Sequence, residues 1–534
     1  MKRKVVAIGI DGPNTGRLES WLRAGLLPNM EKIALRGATA RYTHVKRFRN
    51  ERCWDTFLSG REMAGSGATF LTGSYDFFNE SLQREERYAP FYALGEDYRV
   101  CMFDLPATLS PHVNGIQLAG WGSELNASTP VSAPADLMAE ILARYGADPK
   151  LVNAARVVDF KSRETERSYV LPSLYDHFAV SAFKEKLLLA IKQRTEICLD
   201  LLSRADWDLF LALYPEVHTA NHMLWHLGED HPLRVHTPQT GHAVLEIFQA
   251  IDHAIGRIVE RLPADTNVVV YTVDHTDVNS MDVPSMALLP ELLYRWNFPG
   301  SRALAAGDGT QPVPPLRTDY GRHWKHEVWA LRTPVGETQL VAPDQQERLG
   351  DPLSWNPANW YKPLWPGMRA FALPSVSDGY IRLNVLGRES QGWVEADRYQ
   401  ATLDELGQLL QRATNPRTGR PLVKSLTQTR KSPWDAPEIP PDLIVCWDDS
   451  MPADTLDSPD VGRIGPLPYF RSGGHASHGT VIENMLVAQG PDIPPGTSTR
   501  TGHLEDLPAS LLHLLGAQIP GHIKGENLFR PRHP

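Results

Sequence analysis

Cysteine is scarce in this chain. The four residues, Cys53, Cys101, Cys198 and Cys446, are scattered, and no two share C-x-x-C spacing. A disulfide framework or a thiolate zinc module is therefore not expected. Long apolar runs are missing too: no stretch approaches the ~18 residues that cross a bilayer. Lys2, Arg3 and Lys4 lead into an apolar segment, but it is interrupted at Asp11 with no small-residue cleavage site after it. That is shorter than the ~7–15-residue hydrophobic region of a secretory signal, and a first β-strand is the better reading. The expectation is a cytoplasmic, reduced protein with no membrane partner. Excess positive charge is also lacking. The net charge is −9, which gives no electrostatic reason to expect a nucleic-acid partner. Internal repeats and low-complexity tails are not found. What is present is an ordinary globular composition, 42% hydrophobic and 22% charged, over 534 residues, enough for more than one lobe.

The chain is organised around NVVVYTVDHTD, residues 267–277. A run of β-branched and aromatic residues reads as a strand buried on both faces, and its end is polar. In open α/β sheets, ligands sit at such carboxyl ends. VVAIGI (5–10) and WDLFLALYPE (207–216) have the same character, and YRVCMFDLP (98–106) is a further candidate. Helical spacing predicts helices over 18–37, 132–145, 179–203, 242–261, 398–413 and 504–516. The alternation predicts an α/β fold with a mostly parallel central sheet. Residues 296–370 are rich in Pro, Gly and Trp and show little periodicity, as an insertion would. The expected division is a core in two parts, 1–280 and 441–534, with a cap over 281–440. PDLIVCWDD (441–449) is read as a buried strand opening the second part.

The polar residues at these strand ends are Asp11, His218, His222, Asp274, His275 and His475. Imidazole and carboxylate are ligands for divalent cations. A single histidine is more often a structural hydrogen-bonding residue; six such residues at successive strand ends point to a metal site.

Several motifs in order resemble one family, the type I phosphodiesterase/nucleotide pyrophosphatase branch of the alkaline phosphatase superfamily. They are VVAIGIDG with GLLPNMEKIALRGA, WDTFLSGREMAGSG, PEVHTANHMLWH, TVDHT, GGHASHG and LEDLPASLLHLLGAQIPGHIKGENL. The resemblance implies an alkaline-phosphatase-like three-layer sandwich with an inserted cap. It also implies two divalent metal ions, with zinc first and manganese or iron as alternatives. One ion would use Asp11, the nucleophile, Asp274 and His275. The other would use His218, His222 and His475, where His218 replaces the family's Asp. Counting from Trp54 and from Ser59 places the nucleophile at Asn50, where the family has Thr or Ser. An amide has no ionisable hydroxyl and cannot form a phospho-enzyme; Thr56 and Ser59 are the nearby hydroxyls. Ser66 stands where the family usually has His. Arg49 and Arg52, next to Asn50, and His478 are candidate substrate contacts, since guanidinium suits phosphate and sulfate. Arg388 and Glu389 fit an internal salt bridge as well as a substrate contact.

The expected function is a metal-dependent hydrolase or transferase acting on a small anionic substrate. The substrate would be a phosphate or sulfate ester, diester or anhydride, with nucleotides among the candidates. The route would avoid a covalent intermediate. The alternatives are a catalytically inactive metal- or anion-binding relative and an iron-dependent oxidase or lyase.

Overall fold

The computed structural model describes residues 3–46, 52–62, 88–122, 130–150, 177–228, 231–236, 242–316, 324–333, 340–351, 353–435 and 439–529, without the side chains of 52, 177–179, 235 and 236. The main sheet has nine strands. Its centre is β1 (Lys4–Asp11), flanked by β7 (Thr266–Val273) and β6 (Leu209–Tyr214); beyond β6 lie β3 (Gly95–Phe103), β4 (Val113–Ala119) and β5 (Val131–Ala133). From β7 through β4 the strands run parallel. On the other side, Val481–Gln489 pairs antiparallel with β7 and with β2 (Ala38–Val45), and Gly502–His503 closes the edge.

Alternation along the strands explains the layers. Val6, Ile8 and Ile10 of β1 face one core with Phe210, Ala212, Val268 and Val270, while Val5 and Ala7 face the other with Leu209, Leu211, Val269 and Tyr271. The first core is covered by α1 (Thr15–Arg23), α2 (Pro28–Arg36), α5 (His177–Ser203), α6 (Glu216–Leu224) and α7 (Ala243–Val259). The second is covered by α3 (Arg52–Ser59) and the helix Asp506–Leu515. Both faces are covered, as a parallel sheet requires.

Two expectations change. The single helix expected over 18–37 is two helices, because Gly25 takes φ +69° and Pro28 starts a new helix at its first turn. Beyond them, β2 adds a strand with no counterpart in the sequence reading, and its ATARYTHV alternates buried and exposed positions over most of its length. Residues 441–449 supply Leu443–Trp447, which lies in a smaller antiparallel sheet with Val423–Gln428, Gly379–Leu383 and Ala370–Leu373. The main sheet resumes only at Val481.

Arg388 and Glu389 lie in a buried ion network behind this smaller sheet. Arg388 Nη2 donates to Asp442 Oδ2 at 2.7 Å, Arg382 Nε to Glu389 Oε1 at 2.6 Å, and Arg430 Nε stands 3.0 Å from Asp442 Oδ1. The salt-bridge reading of the pair is the one realised. Among the described residues, no helix is long and apolar enough to cross a membrane.

Candidate metal centre

The site forms where β1, β6 and β7 end. Asp11 closes β1, and Gly12 follows at φ +56°. A Cβ on Gly12 would stand 3.1 Å from His218 Cγ, so both the turn and the close approach favour glycine. β6 runs through Pro215 into α6, which places His218 and His222 one turn apart on one face. The start of α6 is tied down by Glu216, whose Oε1 accepts from Arg194 Nε at 2.8 Å; Arg194 Nη1 also donates to Asp104 Oδ2 at 2.8 Å, all three being fully buried.

After β7, Asp274 adopts φ +68°, a left-handed conformation that Asp tolerates better than most residues. The chain then enters β8 (Thr276–Val278), which pairs antiparallel with Gly473–His475 and sets His475 opposite Thr276. This ribbon presses against α6: a Cβ on Gly473 would be 2.3 Å from the Asn221 carbonyl oxygen. Asn221 Nδ2 donates to Thr276 Oγ1 at 2.7 Å and to the Gly12 carbonyl at 3.0 Å, joining the three loops.

Three imidazoles converge in this frame. His218 Nε2 is 2.8 Å from His222 Nε2 and 3.3 Å from His475 Nε2, and all three residues are buried. Their outer nitrogens face acceptors. His218 Nδ1 lies 2.9 Å from Asp11 Oδ2, His222 Nδ1 lies 2.6 Å from the Gly473 carbonyl, and His475 Nδ1 lies 3.5 Å from Asp274 Oδ2. A carbonyl can only accept, so His222 carries its proton on Nδ1 and turns an unprotonated Nε2 inward. An ionised Asp11 does the same for His218. Two lone pairs facing each other at 2.8 Å repel unless a cation stands near both. Donors at ~2.0–2.1 Å from a tetrahedral zinc ion lie roughly 3.3 Å apart. The observed spacings reach that with a small opening of the His218–His222 pair.

The protonation states of His222 and His475 agree with this arrangement. Burial lowers the pKa of His222 well below its ordinary value and that of His475 to about 4, so both are neutral at pH 7. Burial raises the Asp11 carboxyl, against the pull of His218. For Asp274, burial is outweighed by His475 and then Lys46, and the carboxyl sits below the usual range.

The other expected residues are placed less uniformly. Asp11 is turned toward His218 and Trp54, whose Nε1 donates to Asp11 Oδ1 at 3.1 Å. His275 has its Nε2 3.8 Å from Asp277 Oδ2, and no described partner bonds its buried Nδ1. Among the described residues, two groups of at least three ligand-type side chains have donor atoms all within 4.8 Å of one another. One is His218, His222 and His475; the other is His44, Cys53 and Asp274. The expected grouping of Asp11, Asp274 and His275 is neither of these. Asn50, Arg49 and Ser66 lie outside the described residues, and Arg52 opens α3. Ser59 Oγ donates to the Asp55 carbonyl at 2.7 Å, an ordinary helix back-bond that leaves it unsuited to attack. The His478 backbone N–H donates to Asp378 Oδ2 at 2.8 Å. A cavity of about 310 Å³ opens beside the centre, lined by His275, Asp277, His475, Ser477, Thr480 and Glu483 among others.

Sequence reasoning did not place His44, Cys53, Trp54, Asn221 or Arg194 around the centre. Trp54 and Cys53 precede the hydroxyls that drew attention to that segment. Asn221, next to His222, stands where only the helix start at Glu216 would have exposed its role.

No protein-family model matches the chain, and no curated protein matches it. Solved structures do. An inactive murine ectonucleotide pyrophosphatase/phosphodiesterase 5 in complex with AMP aligns at 12% identity and a TM-score of 0.43, covering 98% of this chain and 97% of that one. A phosphonoacetate hydrolase from Sinorhizobium meliloti in complex with phosphonoformate aligns at 13% identity and a TM-score of 0.39, with 97% and 96% covered. A mutant of the alkaline phosphatase PafA aligns at 10% identity and a TM-score of 0.45, with 99% and 98% covered. These neighbours are all members of the alkaline phosphatase superfamily.

Proposed function

We propose that this protein is a metal-dependent hydrolase or transferase acting on a phosphate (or sulfate) ester, diester or anhydride, with His218, His222 and His475 holding a divalent cation through their Nε2 atoms. The observation that carries the reading is the convergence of those three nitrogens at the sheet's carboxyl end, each imidazole backed on its outer side by an acceptor. Histidine ligands are oriented this way, with the second ring nitrogen held by a carboxylate or carbonyl. Three neutral imidazoles and an open position suit zinc, with manganese or iron as alternatives. A cation bound there supplies Lewis acidity toward a phosphoryl or sulfuryl oxygen.

The chain's own residues do the remaining work. Asp11 and Asp274 fix the rings of His218 and His475 and supply negative charge beside the cation. Asn50 cannot be phosphorylated, so displacement is direct, by water or a second substrate, and the amide orients the substrate. Arg49, Arg52 and His478 are the proposed anion contacts. The cavity beside His275 and His475 is the proposed substrate entrance.

Elemental analysis of the purified protein, followed by turnover of aryl phosphate mono- and diesters, tests the reading. Bound zinc or manganese that is lost in His222→Ala together with turnover is the expected result. Bound iron with oxygen-dependent turnover would replace the reading by an oxidase or lyase. No metal after purification with added zinc would replace it by a binding-only role.

A further inference from the structure

A second group of donors stands beside the three imidazoles and was not anticipated from cysteine spacing. His44 is the penultimate residue of β2, Cys53 lies in the first turn of α3 and Asp274 follows β7, and one donor atom from each lies within 4.8 Å of the others. Cys53 and Asp274 are buried, and His44 is partly buried. The set mixes sulfur, nitrogen and oxygen, a combination suited to zinc or cobalt. Asp274 also faces His475, so the two groups share one carboxylate.

We propose that His44, Cys53 and Asp274 form a second, thiolate-containing metal site, adjacent to the His218–His222–His475 centre. It stands in place of the grouping of Asp11, Asp274 and His275, whose donor atoms do not all lie within 4.8 Å of one another. Charge favours a thiolate here. His44 Nδ1 lies 3.1 Å from Asn484 Nδ2, which holds the ring in place. Lys46 is buried nearby, close enough to lower the pKa of Asp274. A deprotonated Cys53 adds the negative charge that a second dication needs, and the start of a helix favours a thiolate. The proposal goes beyond the function proposed above: it uses none of the three imidazoles, so either can fail without the other.

The test is cobalt(II) reconstitution of the full chain, read by metal equivalents and absorption. A cobalt–thiolate bond gives a near-ultraviolet charge-transfer band that an all-imidazole site lacks. The wild type is expected to take up about two equivalents and show this band. Cys53→Ser should lose one equivalent and the band, and Cys53→Asp should keep the equivalent and lose the band. His222→Ala should lose the other equivalent and keep the band. The absence of a band in cobalt-loaded wild type overturns the proposal, whatever the folding of the variants. A band that survives in Cys53→Ser also overturns it. Unchanged stoichiometry in His222→Ala, with the band intact, would instead count against the three-imidazole centre alone.

Discussion

At the scale of single residues, Asp11 is the instructive case. Its position at the end of the first strand suits a ligand, yet its two oxygens are taken by Trp54 Nε1 and His218 Nδ1. On the function proposed above, a carboxylate so placed orients His218 rather than binding the ion. Asp11→Asn should therefore keep the metal stoichiometry under saturating conditions but weaken affinity by about 10–100-fold. Chelator competition measures this, and loss of the ion at saturating metal would restore Asp11 as a ligand. The residues of the three-imidazole group were legible in the sequence because they lie at strand ends and at i, i+4 on a helix. The role of Asp11 was not legible, since it depends on Gly12 letting His218 approach. The proximity of His44 to Cys53 was equally hidden. The two residues stand in different elements, β2 and α3, and sequence spacing carries no sign of their meeting.

At the scale of elements, buried charge does much of the positioning. Arg194 joins Asp104, just after β3, to Glu216 at the head of α6, so the helix bearing His218 and His222 is fixed by a buried ion network. The smaller sheet has its own network, in which Asp442 is the shared anion. Burial pushes the Asp442 carboxyl up, but Arg388, Arg430 and Arg382 prevail and hold it at about 2. An unfolded Asp takes up its proton near 3.9. Between these values the unfolded chain binds more protons, so stability conferred by Asp442 is complete above about pH 4 and falls away as pH drops toward 2. It amounts to about 2 kcal/mol. Denaturant unfolding measured from pH 5 to pH 3 should show this decline. Asp442→Asn should be less stable at neutral pH yet flatter through that window, and an equally steep decline in the variant would refute the assignment. Element types were largely legible from periodicity, including α5, α7 and the three central strands. Sheet membership was not, because Leu443–Trp447 and β6 are both fully buried runs and nothing in such a run tells which sheet it joins.

At the scale of the whole molecule, the centre is assembled from distant parts of the chain. Asp11, His218, His222, Asp274 and His475 come from both ends of the main sheet's sequence, and the ribbon carrying His475 is held by α6 through Gly473. The unfolded chain cannot reproduce this arrangement, so a cation that binds it binds the native state almost alone. Binding then adds to stability by mass action, about 2.7 kcal/mol when free metal is a hundredfold above its Kd. Because the linked segments include β1, β6 and β7, this gain should be felt by the cooperative unfolding of the main sheet rather than by a local loop. The Tm is expected to rise with added zinc, fall back with chelator, and lose its metal dependence in His222→Ala. A Tm in the wild type that ignores zinc from absence to saturation would mean that the three imidazoles face one another in the native state without binding a cation. The repulsion between their inward nitrogens would then need another source of relief, and a proton shared between His218 and His222 is the one their 2.8 Å separation permits.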